Sequence, residues 1–163
     1  MADLDEIYNT KLLALAAHIP HSERLKAPDA TATAHSKLCG STVSIDLTMS
    51  NGRVTGFGQT VKACLLGQAT CAIVGGNVIE ATSQELRETG AAMHRMLKEE
   101  GPPPSGRFAR LALLEPVRHY KARHGSVMLV FEAIEEAIAK IEGREENRGG
   151  QRTLKQKSGE PHL

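Results

Sequence analysis

The chain has 163 residues, 40% of them apolar and 24% charged, with 20 basic residues against 19 acidic ones and a formal net charge of +1. One domain of this length buries a core without disulfide staples, and so balanced a charge provides no general field to draw in nucleic acid or an anionic membrane. No apolar run is long enough to span a bilayer and no secretion-type segment opens the chain, so a soluble, cytoplasmic protein is expected. Three scattered cysteines do not make the disulfide framework of a small secreted domain. With no Trp and only three Phe and two Tyr, the core must be built from Leu, Ile, Val, Ala and Met.

Leu4, Tyr8, Leu12, Leu15 and Ile19 recur at intervals of three and four, and Asp3 with Glu6 has capping-box spacing, so a first helix is expected up to Pro20. A polar loop to Asp29 follows, then an Ala/Thr alternation over 30–34 that reads as a short strand. Val43, Ile45, Leu47 and Met49 alternate strictly with Ser44, Asp46, Thr48 and Ser50, which is a strand with one buried face. Asn51-Gly52 suits a two-residue hairpin turn, and residues 53–62 should return as the antiparallel partner. From Leu65 to Val74 small apolar residues run without alternation, as in a buried helix, broken at Gly75-Gly76. Thr82 and Glu85 form a second capping box, opening a helix that ends near Gly101. A stiff Pro-rich loop over 102–106 precedes a short helical or irregular segment, 108–117, and a basic connection, 118–124. Val127, Phe131, Ile134, Ile138 and Ile141 mark a last amphipathic helix. The domain should end at residue 142, because 143–163 is charged, glycine-rich and nearly free of apolar residues, as in a disordered tail. Strands followed by helices imply an α+β fold, a small three-stranded antiparallel sheet with helices packed on one face.

That topology carries chemistry to one end of the sheet. Cys39 lies just before the strong strand and Cys64 just after its hairpin partner, so 25 residues of sequence separate two thiols that the hairpin brings toward one rim. Gly40 permits a sharp turn there, and a helix N-terminus of the kind Cys64 opens stabilises a thiolate. A cysteine in an apolar setting is otherwise a small core residue, and Cys71, between Thr70 and Ala72, reads that way. His124, at the entry to the last helix, is the histidine placed to join the cysteine rim. Arg118, Lys121 and Arg123 read as a solvated turn. No phosphate loop, GxSxG elbow or HxxxH/CxxC pairing is present. The residues alone reach a Cys39, Cys64, His124 cluster and stop.

Those same residues carry a resemblance. From about Leu4 to Glu142 the chain resembles the U-type iron–sulfur cluster assembly scaffolds, IscU, SufU and the amino-terminal domain of NifU. Members carry Cys-Gly-Asp before the strand, where this chain has Cys39-Gly40-Ser41; a second Cys opening a helix of small residues, where it has Cys64; and an Ala-Arg motif leading to a third Cys, where Ala122-Arg123 leads to Ser126. Leu114–Arg118, LEPVR, is similar to the LPPVK chaperone motif of IscU. The resemblance implies a site of three cysteines and one aspartate holding zinc, iron or a nascent [2Fe-2S] cluster, with a cysteine desulfurase as sulfur donor and apoproteins as recipients. Ser41 and Ser126 occupy two of those four ligand positions, and a neutral hydroxyl is a poor ligand beside thiolate or carboxylate. His124 is the substitute that this reading offers, because imidazole ligates both zinc and iron–sulfur clusters.

The expected function is therefore an iron–sulfur assembly scaffold without turnover chemistry, holding metal or cluster through Cys39, Cys64 and His124. The alternatives are a metal-free adaptor that keeps the fold, and a thiol enzyme with Cys64 as nucleophile and His124 as base.

Overall fold

The computed structural model describes residues 9–38 and 40–159, with side chains described as far as residue 145. Helix α1 spans Thr10–Ala17; Asn9 caps it, accepting from the Leu12 N–H at 2.9 Å, and Leu12 and Ala16 are buried. The upstream part of the expected helix, with Leu4, Tyr8 and the Asp3/Glu6 pair, lies outside the described residues. Strands β1 (Ala30–His35), β2 (Thr42–Ser50) and β3 (Arg53–Lys62) form one antiparallel sheet in the order β1-β2-β3. Asn51 and Gly52 connect β2 to β3 with φ of 55° and 75°, the positive values that the twist of a two-residue hairpin demands.

Val43, Ile45 and Leu47 of β2 are fully buried, facing the helices. Helix α2 (Leu65–Asn77) packs against α1, helix α3 (Ser83–Lys98) follows, then a 3-10 segment (Gly106–His119), and helix α4 (Lys121–Gly159) lies across β1 and β2. Lys140 donates to the Thr31 carbonyl at 2.7 Å and Arg144 donates to that of Asp29, tying α4 to the first strand. Burying a core Leu or Ile in such a layer contributes roughly 1.5–3 kcal/mol. The α3 capping box is present in both directions: the Glu85 N–H donates to Thr82 at 3.0 Å and the Thr82 N–H to Glu85 at 3.1 Å.

Three boundaries differ from the sequence reading. Gly75 and Gly76 do not break α2; a Cβ at Gly75 would stand 2.6 Å from Gln59 Nε2 and 3.2 Å from Pro20, so this glycine allows the helix to approach β3 and the loop below it. The basic stretch before the last helix is not a separate connection: Arg118 and His119 end the 3-10 segment, and Lys121, Arg123 and His124 form the first turn of α4. Its backbone continues to Gly159, past the expected domain end at residue 142, although among the described residues Ile141 is the last apolar side chain packed on the core. A charged sequence short of apolar residues has nothing to pack, yet Glu, Arg, Lys and Gln are good helix formers and extend a helix already started.

The face of the sheet away from the helices is covered by loop 20–29. Gly58 lies directly beneath it, where a Cβ would meet the Glu23 carbonyl oxygen at 2.4 Å. Beside it Asp46, 1% exposed, accepts from Arg24 Nε and Nη2 (both 2.7 Å), the Leu25 N–H (2.9 Å) and the Thr31 hydroxyl (2.7 Å). The Arg24 guanidinium holds this carboxyl down at about 2 against its burial. Nothing local marks Asp46, which sits among Ser and Thr in the polar register of β2; its partners Arg24 and Leu25 come from a loop 22 and 21 residues earlier, and Thr31 comes from β1.

Candidate functional site

The connection from β1 to β2 sets one wall of the site. The Ser36 N–H donates to the Ser41 carbonyl and the Gly40 N–H to that of Ser36, both at 2.9 Å, and the turn needs Gly40 at φ 71°, in the left-handed region. Ser41 then leads into Thr42, paired in register with Lys62 of β3. Two residues past Lys62, Cys64 occupies the N-cap position of α2; its side chain makes no cap bond and is only half-buried.

The third wall comes from α4, 62 residues further on. Ser126 Oγ is 3.2 Å from Cys64 Sγ and donates to Ser41 Oγ at 3.5 Å. Both hydroxyls are buried, Ser126 at 2% and Ser41 at 4% exposure. The close crossing of α2 and α4 depends on Gly67: a Cβ there would stand 2.6 Å from Ser126 Oγ and 3.2 Å from the Ser126 carbonyl. Ser41, Cys64 and Ser126 thus meet at one rim of the sheet. Cys39 lies outside the described residues, between Leu38, which is 83% exposed, and Gly40.

His124 does not join them. Residues two apart on a helix project to nearly opposite sides, so while Ser126 points to Cys64, the His124 ring turns to the end of the 3-10 segment. There Nε2 lies 2.9 Å from the Val117 carbonyl and 3.2 Å from that of Arg118. Burial holds its pKa below the ordinary histidine value, with Lys98 and Lys121 adding to the effect. The spacing in sequence concealed this because the helix starts earlier than the apolar pattern suggests. Cys71 is a packing residue, 1% exposed, its thiol pushed up to about 12 by burial.

Among solved structures, the chain is 52% identical to a nitrogen-fixing NifU-like protein (N-terminal) from Brucella abortus, covering 86% of this chain and 97% of that one with a TM-score of 0.85. The chain belongs to the NifU-like, U-type family. The SUF-system protein FiSufU of Fervidobacterium islandicum AW-1, named as a candidate iron–sulfur cluster assembly scaffold, shares the fold at 15% identity, covering 83% of this chain and 98% of that one with a TM-score of 0.75. No protein-family model and no curated protein matches the chain.

For a U-type protein the donor set is unusual. Zinc and iron–sulfur sites are built from thiolate and imidazole, with carboxylate as the hard exception. The described rim offers one thiol and two hydroxyls, and among the described residues no three His, Cys, Asp or Glu side chains are placed to hold a metal ion. Ser126, in contact with Cys64 and donating to Ser41, and Ser41 itself do not fit a complete four-donor cage, and His124, the substitute, faces away. What the rim can do is present thiol sulfur, half-accessible, beside hydrogen-bonding hydroxyls.

Proposed function

We propose that this chain is an iron–sulfur cluster assembly protein of the scaffold type, in which Cys39 and Cys64 supply the sulfur ligands for iron, zinc or a [2Fe-2S] cluster as cargo. The observation that carries this reading is the meeting of Ser41, Cys64 and Ser126 at one rim, at three positions where the family resemblance expects ligands. A cysteine desulfurase as sulfur donor, recipient apoproteins and a cytoplasmic setting belong to the same proposal, as does the absence of turnover chemistry. With only two thiols from this chain, cargo is held by an incomplete set and the remaining ligands come from outside, which favours release.

The test is anaerobic reconstitution of the full chain with ferrous iron, cysteine, a desulfurase and a dithiol reductant that converts the delivered persulfide sulfur to sulfide, read by bound iron and sulfide. Uptake is expected in the native chain and lost in both Cys39→Ala and Cys64→Ala; uptake that survives both substitutions removes the proposal. A second reading, a metal-free adaptor that works through its surface, is favoured by the hydroxyls of Ser41 and Ser126. It predicts no uptake in the native chain but retained binding to assembly partners.

A further inference from the structure

An apolar groove of about 660 Å³ lies between α3 and α4, lined along its length by Leu86, Gly90, Met128 and Ile138. Its edges carry Glu132, Glu135 and Glu136 against the one guanidinium of Arg87. Arg87 is held at 2.7 Å by both Glu135 and Glu142, and Glu136 has only a loose 3.9 Å contact with Lys140. Partial burial raises the Glu132 carboxyl above the ordinary glutamate value, and among the described residues no cation pairs with it. The groove is therefore apolar, acidic and short of cations.

The far end of α4 has the opposite character. Ile141 is the last apolar side chain packed on the core and Arg144 reaches back to the Asp29 carbonyl, yet the helix continues to Gly159. Residues 145–159 thus overhang the domain by about 22 Å. They carry Arg148, Arg152, Lys155 and Lys157 against Glu145 and Glu146, with Gly149-Gly150 between. So short a helix is marginal in water on its own and paired glycines weaken it further, so its helical state calls for a surface to pack on. Glycine also lets one backbone lie close to another.

The groove and the overhang match in charge, length and spacing. From Met128 to Ala139 the groove runs about 17 Å along α4, within the reach of the overhang. Glu132 and Glu136 stand four residues apart, as do Arg148 and Arg152. A continuous helix cannot fold back onto its own earlier turns, so the match is between copies. We propose that two copies of this chain pair through α4, antiparallel about a two-fold axis near residue 142, with the overhang of each lying along the acidic groove of the other. This register sets position 148 opposite Glu136 and position 152 opposite Glu132, and brings position 154, the one Leu of the overhang, toward the Met128 end of the groove. Arginine and lysine suit such a surface, since their stems cover apolar area while their charged ends reach carboxylates. The interface is isologous, so every contact occurs twice. It is separate from the thiol rim and does not depend on the cluster assembly reading.

The test is sedimentation equilibrium at fixed, moderate ionic strength on three full-length proteins: the native chain, Glu132→Arg/Glu136→Arg and Arg148→Glu/Arg152→Glu. Glu132 and Glu136 are exposed, and circular dichroism reports that each variant remains folded. The native chain is expected to dimerise with a Kd of about 10 µM or tighter. Each variant alone sets like charges opposite each other and should pair about tenfold more weakly or worse. An equimolar mixture of the two should recover native-level pairing, because each groove then meets an overhang of opposite charge. A native chain that stays monomeric to about 100 µM, as it would if another protein filled the groove, overturns the proposal. So does a dimer that neither variant weakens, or a mixture that pairs no better than its components.

Discussion

The two polar clusters that flank the sheet are built to opposite standards. Beneath loop 20–29, Asp46 takes four hydrogen bonds at 2.7–2.9 Å, two of them from one guanidinium. At the rim, Cys64 has a 3.2 Å contact with Ser126, and Ser126 reaches Ser41 only at 3.5 Å, the long limit of a hydrogen bond. A fully satisfied buried network locks backbone to backbone, whereas the half-buried Cys64 thiol keeps part of its surface open to other partners. The first cluster holds the loop to the sheet; the second is where chemistry has room.

The largest test of this contrast converts the loose cluster into a closed one. Ser41→Asp combined with Ser126→Cys adds a carboxylate and a second described thiol to Cys64, and the purified variant should retain about one zinc per chain where the native protein retains much less, measured by elemental mass spectrometry. Equal zinc content in the two would show that the hydroxyls are not what limits the rim.

Asp46→Ala should cost about 3 kcal/mol in chemical denaturation, because the Leu25 N–H and the Thr31 hydroxyl lose their acceptor and Arg24 its partner. The pH dependence has a definite sign. The folded pKa of about 2 lies below the unfolded carboxylate value of roughly 4, so the stabilisation is fully present above pH 5 and is lost as pH falls toward 2. Asp46→Asn should flatten that part of the acid limb, and an unchanged limb would show that other carboxylates govern it. Gly67→Ala should cost about 1–3 kcal/mol by overpacking the α2–α4 crossing. It should also separate Ser126 from Cys64, which a crystal structure of the variant would reveal. The smallest effect concerns the thiols themselves. In the native fold iodoacetamide should label Cys64 and spare Cys71, whose burial holds it at about 12, with peptide mass spectrometry as the readout. Early labelling of Cys71 would mean that α2 opens locally.

Where local chemistry suffices, the chain could be read directly. Asn51-Gly52 announces its hairpin because few other residues accept two consecutive positive φ values. Thr82 and Glu85 announce a helix start because each satisfies the other's free N–H. The strict alternation of β2 declares its buried face, and Cys64 was placed correctly at a helix N-terminus. Gly75 misleads for the opposite reason: it is there for the neighbour it approaches, Gln59, and a close approach leaves no mark in the residues on either side.

The amino-acid order by itself determined the elements, the antiparallel hairpin and the rim to which Cys64 belongs, because these follow from periodicity, turn stereochemistry and caps acting within a few residues. Tertiary structure alone decided which side chains meet there. Ser126 faces Cys64 and His124 faces away because the phase of α4 is set by its packing across β1 and β2, and Asp46 is saturated because a distant loop folds over it. Such contacts depend on how separate elements are rotated against one another, and no short stretch of residues encodes that angle.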